Sequence, residues 1–305
     1  MRSDEILKKI LDKFGPGFQY IENLRSERLS NVYLVKNTHK DRDEVLKVMD
    51  TNQIFTILEK EGTGSIEQSY EIIKKRFARE AALYTKFNHP NIARVYHVSS
   101  IEDEGGSIEI PFLLMEYLKG QNLQEKLKDS SSLLLDDALE ISQNILNALS
   151  AMHNYNVVHR DLNSRHVIIT EHGNPVITYF GLAKNIIEDT KLTKTGAFLG
   201  TPEYMAPEQF KDSSRVDTRT DIYALGVILF EMLTNEPPFR GSIIQIMKGH
   251  MDKSIPDVRK KKPDLPLGIQ KVIEKAMAKK IDDRYKNAED MLKELKKIKE
   301  DISRE

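Results

Sequence analysis

The sequence predicts an α+β protein, strand-rich in its first part and helix-rich in its second. Apolar residues alternate in short runs between Phe18 and Tyr117, and from Leu123 onward they recur at i, i+3 and i+4. A third observation is the central stretch Val157 to Gly181, where a charged turn precedes a short apolar hairpin. At 305 residues the chain is long enough for one two-lobed unit or two modest domains.

The elements follow in order. Ile6, Leu7, Ile10 and Leu11 stand at helical spacing behind a Ser3 cap, and Gly15-Pro16-Gly17 stops that helix, so residues 1–17 are expected as a helical extension. Tyr20-Ile21, Val32 to Val35, Val45 to Val48, Val95 to Val98 and Pro111 to Tyr117 read as five strands. A helical run from about Glu67 to Phe87 separates the third from the fourth. Ahead of it, Glu61-Gly62-Thr63-Gly64-Ser65 marks an inserted loop, either a docking element or a passive surface connection. Beyond Gly120, Leu123 to Leu127 and Asp136 to Tyr155 carry a helical apolar stripe through Ala138, Ile141, Ile145, Leu149 and Met152. The last helix, Ala288 to Ile302, is amphipathic through Met291, Leu292, Leu295 and Ile298.

The central stretch carries the chemistry. His159-Arg160-Asp161 is followed by the apolar Val167-Ile168-Ile169, the turn Gly173-Asn174, and Tyr179-Phe180-Gly181. With Lys47 on the strand Val45-Leu46-Lys47-Val48, Glu80 on the long helix, and Ala206-Pro207-Glu208 later, this layout resembles the protein kinase superfamily. Its activation segment and Thr220-Asp221-Ile222-Tyr223-Ala224-Leu225-Gly226 are similar to bacterial-type serine/threonine kinases. The resemblance covers about residues 18 to 300. It implies a bilobal kinase fold: an N-lobe at 18–116 with a five-stranded antiparallel sheet and helix αC, and a mostly helical C-lobe at 117–305.

By the same resemblance Lys47 holds the α and β phosphates of ATP and pairs with Glu80, and Asp161 is the base. Val32, Val45 and Ile168 match the residues that sandwich adenine, and Met115, Glu116 and Leu118 match the gatekeeper and hinge. His159, Phe180, Tyr84 and Val95 match the regulatory spine anchored on Asp221, and Glu208 is expected to pair with Arg284. Arg160 and Lys184 form a candidate basic pair for a phosphate on Thr193 or Thr195.

The resemblance breaks at the metal. Kinases place Asn five residues after the base and Asp before Phe-Gly, where they hold Mg²⁺; here His166 and Tyr179 stand at those positions, and Tyr179 lies eighteen beyond Asp161, the family's own spacing. A neutral phenol is a poor ligand for a hard cation, and imidazole prefers softer metals. Asn163 stands where a lysine helps neutralise the γ-phosphate, and Arg25, Glu27 and Ser30 fill the three positions of the phosphate-covering glycines. A metal at a phosphoryl group is worth several kcal/mol of barrier, so these losses together are expected to cost roughly 10⁴-fold or more in rate.

Composition narrows the rest. With 46 basic and 47 acidic residues the net charge is −1, which argues against a nucleic-acid or lipid surface. No apolar run is long enough to span a membrane, the start lacks a signal region, and zero cysteines suit a reducing cytoplasm. The expectation is therefore a cytoplasmic pseudokinase acting as scaffold or allosteric regulator on a protein partner such as an active kinase. It would take ATP only weakly, without Mg²⁺. The alternative is an active serine/threonine kinase that transfers the ATP γ-phosphate with unusual metal coordination.

Overall fold

The strand patterning of the first part resolves into one antiparallel sheet. In the computed structural model, which describes residues 3–26, 29–61, 65–103, 105–129, 132–178 and 201–302, the chain divides into two units. Of the described residues, the first unit holds 3–88 and 93–118, the second 89–92, 119–178 and 201–302.

The first unit holds β1 (Phe18–Ser26), β2 (Ser30–Asn37), β3 (Arg42–Met49), β4 (Val95–Glu102) and β5 (Glu109–Glu116), ordered β1-β2-β3-β5-β4. Side chains alternate across a sheet, so cross-strand partners share a face. Val32 pairs with Lys47, Lys47 with Leu113, and Val45 with Met115, which puts Val32, Val45, Lys47 and Met115 together. The opposite face offers Tyr33, Val35, Leu46, Val48, Ile110, Phe112 and Leu114 to α1 (Ser3–Phe14), which buries Ile6, Leu7 and Ile10 there. Lys13 Nζ donates to the Ser100 carbonyl at 2.7 Å and to Ser99 Oγ at 3.0 Å, and Phe14 stacks on Phe18. The helical extension thus shares the core of the sheet.

Between β3 and the long helix α3 (Ile66–Tyr84) stands a further helix, α2 (Thr51–Glu61), which the sequence reading did not anticipate; of the expected inserted loop, residues 62–64 lie outside the described residues. Ile54 and Leu58 of α2 are buried, and Phe55 meets Tyr70 of α3 with ring centroids 4.9 Å apart. Tyr70 Oη donates to the Glu109 carbonyl at 2.6 Å, and Lys74 pairs with the Glu109 carboxylate at 2.7 Å, tying α3 to β5.

The second unit is built around α7 (Thr218–Thr234), buried along nearly its whole length as a helix apolar on every side must be. Around it stand α4 (Leu123–Asp129), α5 (Leu135–His153), α6 (Pro207–Lys211), α8 (Ile243–Asp252), α9 (Leu267–Ala276) and α10 (Ala288–Ile302). A small antiparallel sheet joins β6 (Gly120–Asn122), β7 (Val167–Thr170) and β8 (Pro175–Ile177). Gly120 opens β6 at φ +153°, and a Cβ there would lie 2.2 Å from the Ile169 carbonyl oxygen, so only glycine fits.

The expected pair between Glu208 and Arg284 forms as a buried bidentate bridge, at 2.7 and 2.8 Å. Thr220 Oγ1 adds a bond to Glu208 at 2.7 Å, so α6 is fastened to α7. Removing one partner strands the other charge in the interior. Arg284→Leu is expected to lower stability by about 3–5 kcal/mol, and Glu208→Leu added to it to recover part of that loss; equilibrium urea unfolding of the three proteins measures both.

Candidate active site

The turn that carries Asp161 is held from beneath by Asp221, fully buried in the first turn of α7. Its carboxylate accepts the backbone N–H of His159 and that of Arg160, each at 2.9 Å, and the ring Nε2–H of His153 at 2.9 Å. Burial alone would push the Asp221 carboxyl up, but the bond and charge of His153 and the His159 amide outweigh it and hold the pKa below the ordinary value. Arg160 sits at φ +64°, a left-handed conformation unfavourable for a residue with a Cβ. The strain persists because Asp221 holds the N–H while Gln209 Nε2 donates to the Arg160 carbonyl at 2.7 Å. His159 Nδ1 accepts the Asp161 N–H at 3.3 Å, which leaves its Nε2–H to donate to the Thr178 carbonyl at 3.1 Å.

Beyond Asp161 the loop turns back on itself in a single 3₁₀ turn, Ser164–His166. Asn163 caps it: Oδ1 accepts the Arg165 N–H at 3.0 Å and Nδ2 donates to the Asp161 carbonyl at 2.8 Å. With 1 % exposure, Asn163 is spent on the loop's own fold and brings no charge in place of the family's lysine. His166 Nδ1 lies 2.7 Å from the same carbonyl oxygen and 3.6 Å from Asp161 Oδ2. A small cavity beside Asp161 is lined by Arg160, Thr201, Tyr204, Gln209 and Asp221.

In the first unit Lys47 has 2 % exposure, which removes the reading of a solvated strand lysine. Val32, Val45 and Met115 are buried and Glu116 is half-buried, its Oε2 accepting the Arg94 N–H at 3.2 Å. Leu118 is half-buried at the end of this unit, and Ile168 is half-buried on β7 of the second unit. Arg25 and Ser30, two of the three expected glycine positions, lie in the paired strands of the β1–β2 hairpin. Glu27, Tyr179, Phe180, Lys184, Thr193 and Thr195 lie outside the described residues, as does the side chain of Glu80, whose backbone belongs to α3.

Sequence reasoning missed His153, whose only signal is its place six residues ahead of His159 at the end of a helix. It also missed a buried chain of hydroxyls: Tyr204 Oη bonds both Glu231 carboxylate oxygens at 2.8 Å and Ser164 Oγ at 2.8 Å. Burial raises the Glu231 carboxyl and the Tyr204 phenol.

Comparison with known proteins agrees with this geometry. The protein kinase domain family matches residues 18–298. This chain belongs to the protein kinase family. Among kinases it is 32% identical over 281 residues to the probable serine/threonine-protein kinase PknB of Lactococcus lactis, covering 92% of this chain and 41% of that protein. It is 31% identical to serine/threonine-protein kinase PrkC of Bacillus subtilis, over 92% of this chain and 40% of the relative. With PknB of Mycobacterium leprae the identity is 30%, over 88% and 41%. The chain spans about two fifths of the length of these relatives. No helix among the described residues is long and apolar enough to cross a membrane.

Magnesium, the metal of the family's active members, asks for hard oxygen ligands. The described part of the kinase catalytic loop offers an imidazole at 166 instead, its Nδ1 engaged with a backbone carbonyl. Among the described residues no three His, Asp or Glu side chains gather to hold a metal. This donor set does not fit the family's metal arrangement.

Because Asp221 has a depressed pKa when folded, the stability it contributes is present above its unfolded value, about 3.9, and is lost as pH falls through the folded value. Asp221→Asn is expected to cost about 3 kcal/mol at pH 7, since an amide cannot accept all three donors. The gap to wild type should narrow in urea unfolding below about pH 4.

Proposed function

We propose that this chain handles ATP as a serine/threonine protein kinase does, with Asp161 receiving the proton of an acceptor hydroxyl. The acceptor oxygen attacks the γ-phosphorus, the bond to the β-phosphate oxygen breaks, and ADP leaves. The observation that carries this reading is the Asp161 turn, clamped by Asp221 and held in a left-handed conformation at Arg160. Relatives at about one third identity, all named serine/threonine kinases, support it over the regulator reading. The buried Lys47 of the first unit, the family's phosphate-holding residue, belongs to the same reading. No step here is routed through a metal, because the donor set at 166 departs from the family's.

A second reading rests on that departure. With Asn163 spent on the loop and His166 replacing the metal-binding amide, the chain would serve as a kinase-fold regulator of a protein partner, an active kinase being the natural one. A phosphate on Thr193 or Thr195, read by Arg160 and Lys184, belongs to either account. A reducing cytoplasm is the compartment that the cysteine-free composition suits.

The two readings part in a single-turnover assay with ATP, a generic protein acceptor and either Mg²⁺ or Mn²⁺. Phosphotransfer by the wild type is expected, slow against an intact kinase by roughly 10⁴-fold and lowered a further 10²- to 10⁴-fold by Asp161→Asn. Wild type no faster than Asp161→Asn with both metals, while ATP still raises the melting temperature, would leave the regulator reading standing.

A further inference from the structure

The group that the family's mechanism does not use is the imidazole of His166. A backbone carbonyl only accepts, so the 2.7 Å contact to the Asp161 oxygen puts hydrogen on His166 Nδ1. Asn163 Nδ2, bonded to that same oxygen at 2.8 Å, approaches Nδ1 at 3.1 Å as a second donor crowding one acceptor. With Nδ1 so occupied, the second proton of the ring goes to Nε2. The Asp161 carboxylate, 3.6 Å from Nδ1, favours the charged form.

Among the described residues of the second unit, the groups packed about His166 are these. On the same loop, His159 lies 5.9 Å away by ring centroids and gives its Nε2–H to Thr178. Past β8, Thr178 donates its N–H and hydroxyl to the His166 carbonyl at 2.9 and 3.2 Å. From α4, which packs on this turn, Gln124 takes the Arg165 Nε–H at 3.0 Å. Arg165, exposed and turned to α4, opposes a charge on His166, and Asp161 favours it from closer range.

We propose that His166 is a proton-gated anion-binding residue: as imidazolium it gives a nucleotide's phosphate the positive charge that Asn163 does not provide. The inference rests on the reading that the chain handles ATP, and names how it does so without the family's metal pair. Imidazole titrates near pH 6.5, so the charge is available on the acid side of neutrality. A site that takes up one proton with its ligand gains up to about tenfold in affinity per pH unit across that titration.

Isothermal titration calorimetry of the full chain with ATP in EDTA, from pH 8 to pH 5.5, tests this in wild type, His166→Asn and His166→Lys. The phosphates of ATP titrate in the same range, but that contribution is common to all three proteins and cancels in their ratios. The ratio of wild-type to His166→Asn affinity is expected to rise about tenfold toward pH 5.5, with His166→Lys tight and nearly level. His166→Lys keeps the test valid if the asparagine variant folds poorly by circular dichroism. If ATP binds but the ratios stay constant with pH, this inference falls and nucleotide handling stands. If ATP binds none of the three at any pH in EDTA, this inference falls, and the phosphotransfer assay with Mg²⁺ or Mn²⁺ decides the proposed function by itself.

Discussion

A single buried carboxylate organises the second unit. Asp221 has no exposed surface, and an isolated charge there would be costly by several kcal/mol. It is stable because three donors converge on it, two of them backbone amides of successive residues. Successive amides can point at one anion only if the chain between them bends sharply, which is why Arg160 adopts a left-handed conformation. Asp161 then leaves the turn in a fixed direction. Gln209 closes the arrangement from α6, and Glu208 beside it is locked to Arg284 and bonded by Thr220, so the Asp161 turn, α6 and α7 form one connected polar network.

The same network shows how a kinase frame can outlast changes in its chemistry. The clamp on Asp221 is made by the backbone amides of 159 and 160 and by His153, without 163 or 166. Asn163 and His166 are held by the Asp161 carbonyl, which faces the loop and not the Asp221 clamp. Replacing a lysine and an amide at these positions therefore leaves the clamp intact while changing the charge offered beside Asp161. Fold and site chemistry are set by different contacts, and the first does not determine the second.

In the first unit the sheet carries two jobs on two faces. One face is an ordinary core closed by α1 through Ile6, Leu7 and Ile10. The other gathers Val32, Val45, Lys47 and Met115 through cross-strand register. A one-residue slip between β2 and β3 would exchange the faces and turn Lys47 into the α1 core, so the apolar demand of α1 also fixes where the lysine points.

Much of this was legible in the sequence. The five strands, the long helix before β4, the terminal helix and the spacing from Asp161 to Tyr179 depend on residues near one another in the chain, and periodicity reports such neighbours directly. The motif pair Glu208 with Arg284 was likewise readable, because family spacing stands in for distance. Other features were decided only when the chain closed on itself. The burial of Lys47 is one; the bond from His153 to Asp221 and the Ser164–Tyr204–Glu231 chain are others, joining residues 27 to 68 positions apart. The use of Asn163 as a cap depends on the path of a three-residue turn. The helix α2 was hidden because so short a helix is marginal by itself, and it is held by packing through Ile54, Ile57 and Leu58. Local pattern determined which residues form the elements of this kinase fold; the path of the chain in space decided which polar groups are spent holding it and which are left to meet a ligand.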